Sequence, residues 1–100
     1  MQIRILSSAR ADFQRQFRYL QDAYVGDETL DKFLEEVDQA CLKIHKNPRT
    51  WSFVPGSRRV RRVQISRFRM QVFYLIRKDG APVILEFAGP GVQPRWVDRL

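Results

Sequence analysis

RFRMQVFYLIRKDGAPVILEFAG, residues 67–89, decides the fold of this chain. From Phe68 to Arg77 the residues Phe68, Met70, Val72, Tyr74 and Ile76 alternate with Arg69, Gln71, Phe73, Leu75 and Arg77. A period of two means a strand with one face more apolar than the other. Lys78-Asp79-Gly80 follows, and Asp-Gly accepts the positive φ angles that a tight hairpin needs. Pro82 to Ala88 is the returning strand, with Val83, Leu85 and Phe87 expected to face one way. Gly89-Pro90-Gly91 ends it, and Gln93 to Leu100 reads as a short tail with about one helical turn.

Working upstream, Arg59 to Ile65 is a further strand, with Val63 and Ile65 on one face and Val60 on the other. Thr50 to Ser57 is a loop. Its Trp51 and Phe53 either cover the end of the core or stack on a base. From Asp27 to Lys46, the residues Leu30, Phe33, Leu34, Val37, Cys41 and Ile44 draw an apolar helical stripe, opposite an acidic face of Asp31, Glu35, Glu36 and Asp38. Asp27 is the expected cap and Glu28 suits the first turn, while Asn47-Pro48 stops the helix. Before Gly26, the residues Phe13, Phe17, Leu20 and Tyr24 mark another helix, running from Ala9 to about Tyr24. Ser7-Ser8 would be its N-cap. Gln2 to Leu6 is a short opening strand.

The fold class is therefore α+β: one domain over residues 1–100, in the order β-α-α-β-β-β. A small antiparallel sheet should pack one face on an N-terminal helix hairpin and leave the other face open. Arg69, Gln71 and Arg77 would lie on that open face, which is where function is expected.

Charge points to the same half of the chain. Residues 1–51 hold eight basic and eight acidic side chains; residues 52–100 hold ten basic and three acidic ones, so the net charge of +7 arises there. Six arginines (Arg58, Arg59, Arg61, Arg62, Arg67, Arg69) crowd into twelve residues without an acid. Like charges held together raise the energy of the folded state, so an anionic partner is expected to relieve them. Fourteen of the eighteen basic residues are arginine, whose planar fork suits phosphate or carboxylate. The plainer alternative is a solvated face whose arginine stems cover apolar surface.

Several function classes drop away. One cysteine, Cys41, permits neither an internal disulfide nor a Cys-based zinc site, and its apolar helical setting suits a small buried hydrophobe. The single histidine, His45, lies at a helix C-terminus. No metal or cofactor motif is visible, and no segment reads as a membrane span or signal peptide, so a cytoplasmic location is expected. What remains is a basic surface with aromatics, able to bind a single strand, or to cleave RNA without metal by stabilising a developing phosphorane. Glu86 is the acid that could serve as general base; the plainer reading pairs it with Arg69 or a neighbouring arginine.

The element order, together with "ARADFQRQFRYL", "KIHKNP", the Arg-rich strand, residues 67–89 and "PRWVDRL", resembles the RelE/ParE superfamily of bacterial toxins. The likeness spans essentially the whole chain, through element order and scattered positions. It implies a toxin of a type II toxin–antitoxin pair, neutralised by a cognate acidic antitoxin. RelE-like members cut ribosome-bound mRNA; ParE-like members inhibit DNA gyrase. By this resemblance Arg69, or Arg67 with a one-residue shift, is the catalytic cation, and Arg59, Arg61 and Arg62 hold the RNA backbone. Arg58 and Arg77 extend that surface, and Trp96 would supply aromatic stacking. Many ribonuclease members carry a His or Tyr where this chain has Ala88 and Gly89. The departure is compatible with a ParE-like gyrase inhibitor, a nuclease relying on arginine alone, or a catalytically inactive relative.

Overall fold

In the computed structural model, which describes residues 3–23 and 26–100, the chain runs β1 (Arg4–Ile5), α1 (Ser7–Asp22), α2 (Asp27–Lys46), β2 (Val60–Ile65), β3 (Met70–Ile76) and β4 (Pro82–Ala88). Short 3-10 turns cover Ser66–Phe68 and Trp96–Arg99. Gln2, expected to open the first strand, and Tyr24, expected on the first helical stripe, lie outside the described residues. The strands form one sheet in the order β1-β4-β3-β2. Meander pairs β2–β3 and β3–β4 are antiparallel, but β1 lies parallel to β4, with Arg4 opposite Val83 and Ile5 opposite Ile84. The sheet is therefore mixed rather than purely antiparallel. Two residues cannot stand as an isolated strand; β1 persists because it completes the open edge of β4.

That pairing also moves the first helix start. Leu6 gives its N–H to the Ile84 carbonyl at 3.1 Å, and its own C=O accepts from Arg10 at 3.0 Å. Leu6 is thus both the end of the strand and the N-cap of α1, without a side-chain cap, and Ser7 already lies in the helix. The second helix spans Asp27–Lys46 as expected, but its cap lies one residue upstream of Asp27. Gly26 is its N-cap, with its C=O accepting from Thr29 and Leu30, so Asp27 and Glu28 both sit in the first turn, where they favour the helix dipole.

Both helices pack on one face of the sheet, α1 against β4 and α2 against β2. Their shared core is aromatic. The Phe33 ring lies 5.6 Å from Phe13 and 6.2 Å from Phe17, and meets Phe68 edge-on at 5.3 Å. Met70, Val72, Tyr74, Ile84 and Phe87 complete this side, and the Tyr74 hydroxyl donates to the Pro48 carbonyl. Burying one such side chain contributes roughly 1.5–3 kcal/mol.

The opposite face is not open. Val60, Phe73, Leu85 and Ala88 form a second buried cluster, covered by Leu6, Val54, Leu75 and Trp96. The C-terminal tail and the loop before β2 supply a lid that hydropathy alone did not reveal. A bulge contributes as well. Phe73 pairs with Glu86 but Tyr74 pairs with Ile84, so Leu85 is an extra residue on β4. Alternation therefore breaks within Val83, Leu85 and Phe87: Leu85 turns to the second cluster while Phe87 joins the helix-side core.

Candidate nucleic-acid interface

Antiparallel pairing of β2 with β3 closes at Ile65 opposite Met70, which leaves residues 66–69 to reverse the chain. The expected strand from Phe68 accordingly begins at Met70. Ser66–Phe68 form a 3-10 turn and Arg69 gives its N–H to the Ser66 carbonyl at 3.2 Å. Arg69 has φ 53°, the one non-glycine with positive φ among the described residues. An L-residue in this left-handed region carries about 1 kcal/mol of strain. Arg67 and Arg69 are both exposed at this turn, and neither has a carboxylate partner among the described residues.

The remaining arginines do not share one face of the sheet. Arg61 pairs with Tyr74 and Arg62 with Phe73, so they point to opposite sides of the sheet. Arg61 is committed to structure. Its Nη1 donates to the carbonyls of Trp51 at 2.7 Å and Arg49 at 3.1 Å, and its guanidinium lies 3.9 Å from the centroid of Phe53. It thus braces the segment before β2. Arg62 donates to Gln71 Oε1 at 3.3 Å and lines a groove with Lys43, Trp51, Ser52 and Gln64.

Arg58 and Arg59 are exposed at the start of β2, where Ser57 Oγ accepts from the N–H groups of Arg59 and Val60. Arg59 shares a depression with Arg77 and Lys78 at the β3–β4 hairpin, which turns on Gly80 at φ 87°. Arg77 stands at this end, past β3, rather than beside Arg69 on a face of the sheet. The run from Arg58 to Arg69 is therefore divided by a six-residue strand, about 20 Å of extended chain.

Two expected participants are occupied elsewhere. Glu86 is 2% exposed, and its Oε1 accepts the Arg95 N–H at 2.7 Å. It pairs with neither Arg69 nor another arginine side chain, and the tail covers it, so it cannot reach a phosphate at the Arg67–Arg69 turn in this conformation. Trp96 is half-buried, with its ring 6.3 Å from Phe73, and packs on the second cluster.

The sequence reading missed the buried ion pair that fixes this tail. Asp12, 4% exposed on α1, accepts from Arg99 Nη1 and Nη2, from the Phe87 N–H at 3.2 Å and from Arg15 at 3.4 Å. Arg99 also donates to the carbonyl of the bulge residue Leu85 at 3.0 Å. The hydrogen bond to Asp12 raises the Arg99 pKa above its ordinary value, against the opposing effect of burial. Helical spacing hints only that Asp12 lies near the inward side of α1, one residue before Phe13; nothing local in the sequence points to Arg99 as its partner.

Cys41 is half-buried, and its thiol is pushed up to about 11, first by burial and then by the charge of Asp38. It behaves as an apolar thiol at neutral pH. Among the described residues, no group of three or more His, Cys, Asp or Glu side chains could hold a metal ion, and no helix is long and apolar enough to cross a membrane. No protein-family model and no curated protein matches this chain.

Proposed function

We propose that this chain is a bacterial toxin of RelE/ParE type, and that the turn carrying Arg67 and Arg69, with Arg62 on the adjoining strand, engages an anionic target. Ribosome-bound mRNA is the target favoured here. The observation that carries this reading is the contrast in charge pairing: Arg99 is matched by a buried carboxylate, whereas Arg58, Arg59, Arg62, Arg67, Arg69 and Arg77 form no salt bridge among the described residues. Exposed guanidinium groups can grip phosphates and stabilise charge on a phosphorane formed by the ribose 2′-hydroxyl. An acidic antitoxin, masking the same cations, is the partner that such a surface would require.

Cleavage by this chain would rest on Arg67 and Arg69 without Glu86. In a purified translation system the wild-type protein should cut mRNA on the ribosome, and Arg69→Ala should slow cutting roughly 100-fold while the protein stays folded. Intact mRNA with the wild-type protein would overturn the nuclease reading. The sequestration of Glu86 favours a second reading, in which the chain poisons DNA gyrase in the manner of ParE and needs no proton-transfer group. Trapped gyrase–DNA cleavage complexes would support it, and an unchanged supercoiling assay would exclude it.

A further inference from the structure

At the hairpin end of the sheet, the depression that holds Arg59, Arg77 and Lys78 adjoins a second hollow of about 310 Å3, because Arg77 and Asp79 line both. Arg4 and His45 supply the other basic side chains of that hollow. The five basic residues come from β1, the last turn of α2, the residue before β2 and the β3–β4 hairpin. Arg4 and His45 belong to the neutral half of the chain, so no window of sequence shows this gathering. The one acid lining either hollow, Asp79, is turned to the backbone: its Oδ1 accepts the Ala81 N–H at 2.9 Å. Arg4, Arg59, Arg77 and Lys78 form no salt bridge among the described residues.

Gathered like charges raise the energy of the fold unless an anion relieves them. The carbonyl end of α2 attracts cations, but Lys43, His45 and Lys46 already occupy its last turn, so that role is filled without Arg4 and Arg77. The backbone beneath the cations is fixed. Arg4 pairs with Val83 and Pro82 with Ile76, and the carbonyl of Pro48, in the wall, accepts from the buried Tyr74 hydroxyl. Cations on a rigid frame lose less freedom when a ligand binds. Charge spread along two adjoining hollows suits a chain of anions better than a single one. We propose that this end of the molecule is a second phosphate-binding site, which holds the backbone of a nucleic-acid strand apart from the Arg67–Arg69 turn, at the other end of β2. This assignment rests on reading the basic surface as one that binds nucleic acid. It adds a contact remote from the reacting phosphate, one that binds and performs no chemistry.

The test is fluorescence anisotropy with a single-stranded RNA dodecamer across a salt series, on two charge-matched double variants. Arg4→Ala with Arg77→Ala removes two exposed cations of the site, and Arg10→Ala with Arg18→Ala removes two exposed ones from α1. The first pair should lower the slope of log K against log salt by about 1.4, at about 0.7 for each phosphate of a single strand. The second pair should leave the slope nearly unchanged. An equal fall in both overturns the site, because net charge alone would then account for it. Amide NMR of the wild type gives a readout that needs no variant: RNA should shift Lys78, Gly80 and Ala81 as well as Arg67 and Arg69. Shifts confined to the turn overturn the second site while leaving nucleic-acid binding intact. A glutamate dodecapeptide that moves Lys78, Gly80 and Ala81 as strongly as RNA also overturns it, since the occupant would then be protein. If the wild type does not bind the RNA, the underlying reading fails and the second site with it.

Discussion

Arg99 and Arg69 are the same residue in two different situations. Arg99 lies against α1 with its side chain 16% exposed, shared between the Asp12 carboxylate and the Leu85 carbonyl. Arg69 stands exposed in left-handed backbone with no carboxylate beside it among the described residues. The first joins residues 87 positions apart and closes the molecule; the second contributes charge that the fold does not use. Arginine content alone cannot separate a structural cation from a binding one. The decisive quantity is what each guanidinium meets.

The sharpest way to break this comparison is to remove the paired cation. Arg99→Ala should cost about 3 kcal/mol in a urea or thermal unfolding measurement, because the Asp12 carboxylate would keep its burial and lose its main partner. A change below about 1 kcal/mol would place Arg99 among the surface ion pairs, whose contribution is of that size.

A second test concerns alkaline pH. Burial raises Tyr74 from its ordinary 10.0 to about 12 and Cys41 from 9.0 to about 11. In both cases the folded state favours the neutral form, so the stabilisation is complete below the ordinary value and is lost as pH rises through the raised one. Melting temperature should therefore fall between pH 9 and pH 12. Cys41→Ala should flatten the lower part of that fall, and Tyr74→Phe the upper part. A melting curve independent of pH over this window would mean that neither group is buried as described.

The smallest expected effect lies at the unpaired turn. Arg69→Gly relieves left-handed strain but adds freedom to the unfolded chain, and the two offset to within about 0.5 kcal/mol. The same variant should lower the salt dependence of oligonucleotide binding. A clear loss of stability would show that Arg69, like Arg99, is engaged by the fold.

Much of the architecture was legible because it is local. The helical stripe through Phe33, Val37, Cys41 and Ile44 is a matter of spacing, and Asp79-Gly80 is turn chemistry. The boundaries of β4 fell at Pro82 and Ala88 as read. The parallel partner of β4, the bulge at Leu85 and the Asp12–Arg99 pair join distant positions, and no local period records them. The turn at residues 66–69 was hidden for a different reason: Phe68-Arg69-Met70 continues the alternation of β3, and a non-glycine gives no sign of left-handed backbone. The candidate site was legible as composition but not as geometry. Arg61 and Arg62 look equivalent in sequence, and the pleat sends one to brace a loop and the other toward a groove.

The parallel pairing of β1 with β4 has a consequence for synthesis. A ribosome makes β1 and α1 first and their partner strand last among the four. Until residues 82–88 have emerged, Ile5 has no neighbour at Ile84, and Phe13 has no Phe87 to pack on. Local helices form quickly, while contacts across such a separation wait for the whole intervening chain. β1 and the Phe13 side of α1 therefore gain their partners only once residues 82–88 are made, whereas the β2–β3 pair and the basic turn between them join neighbouring residues and need not wait for β4.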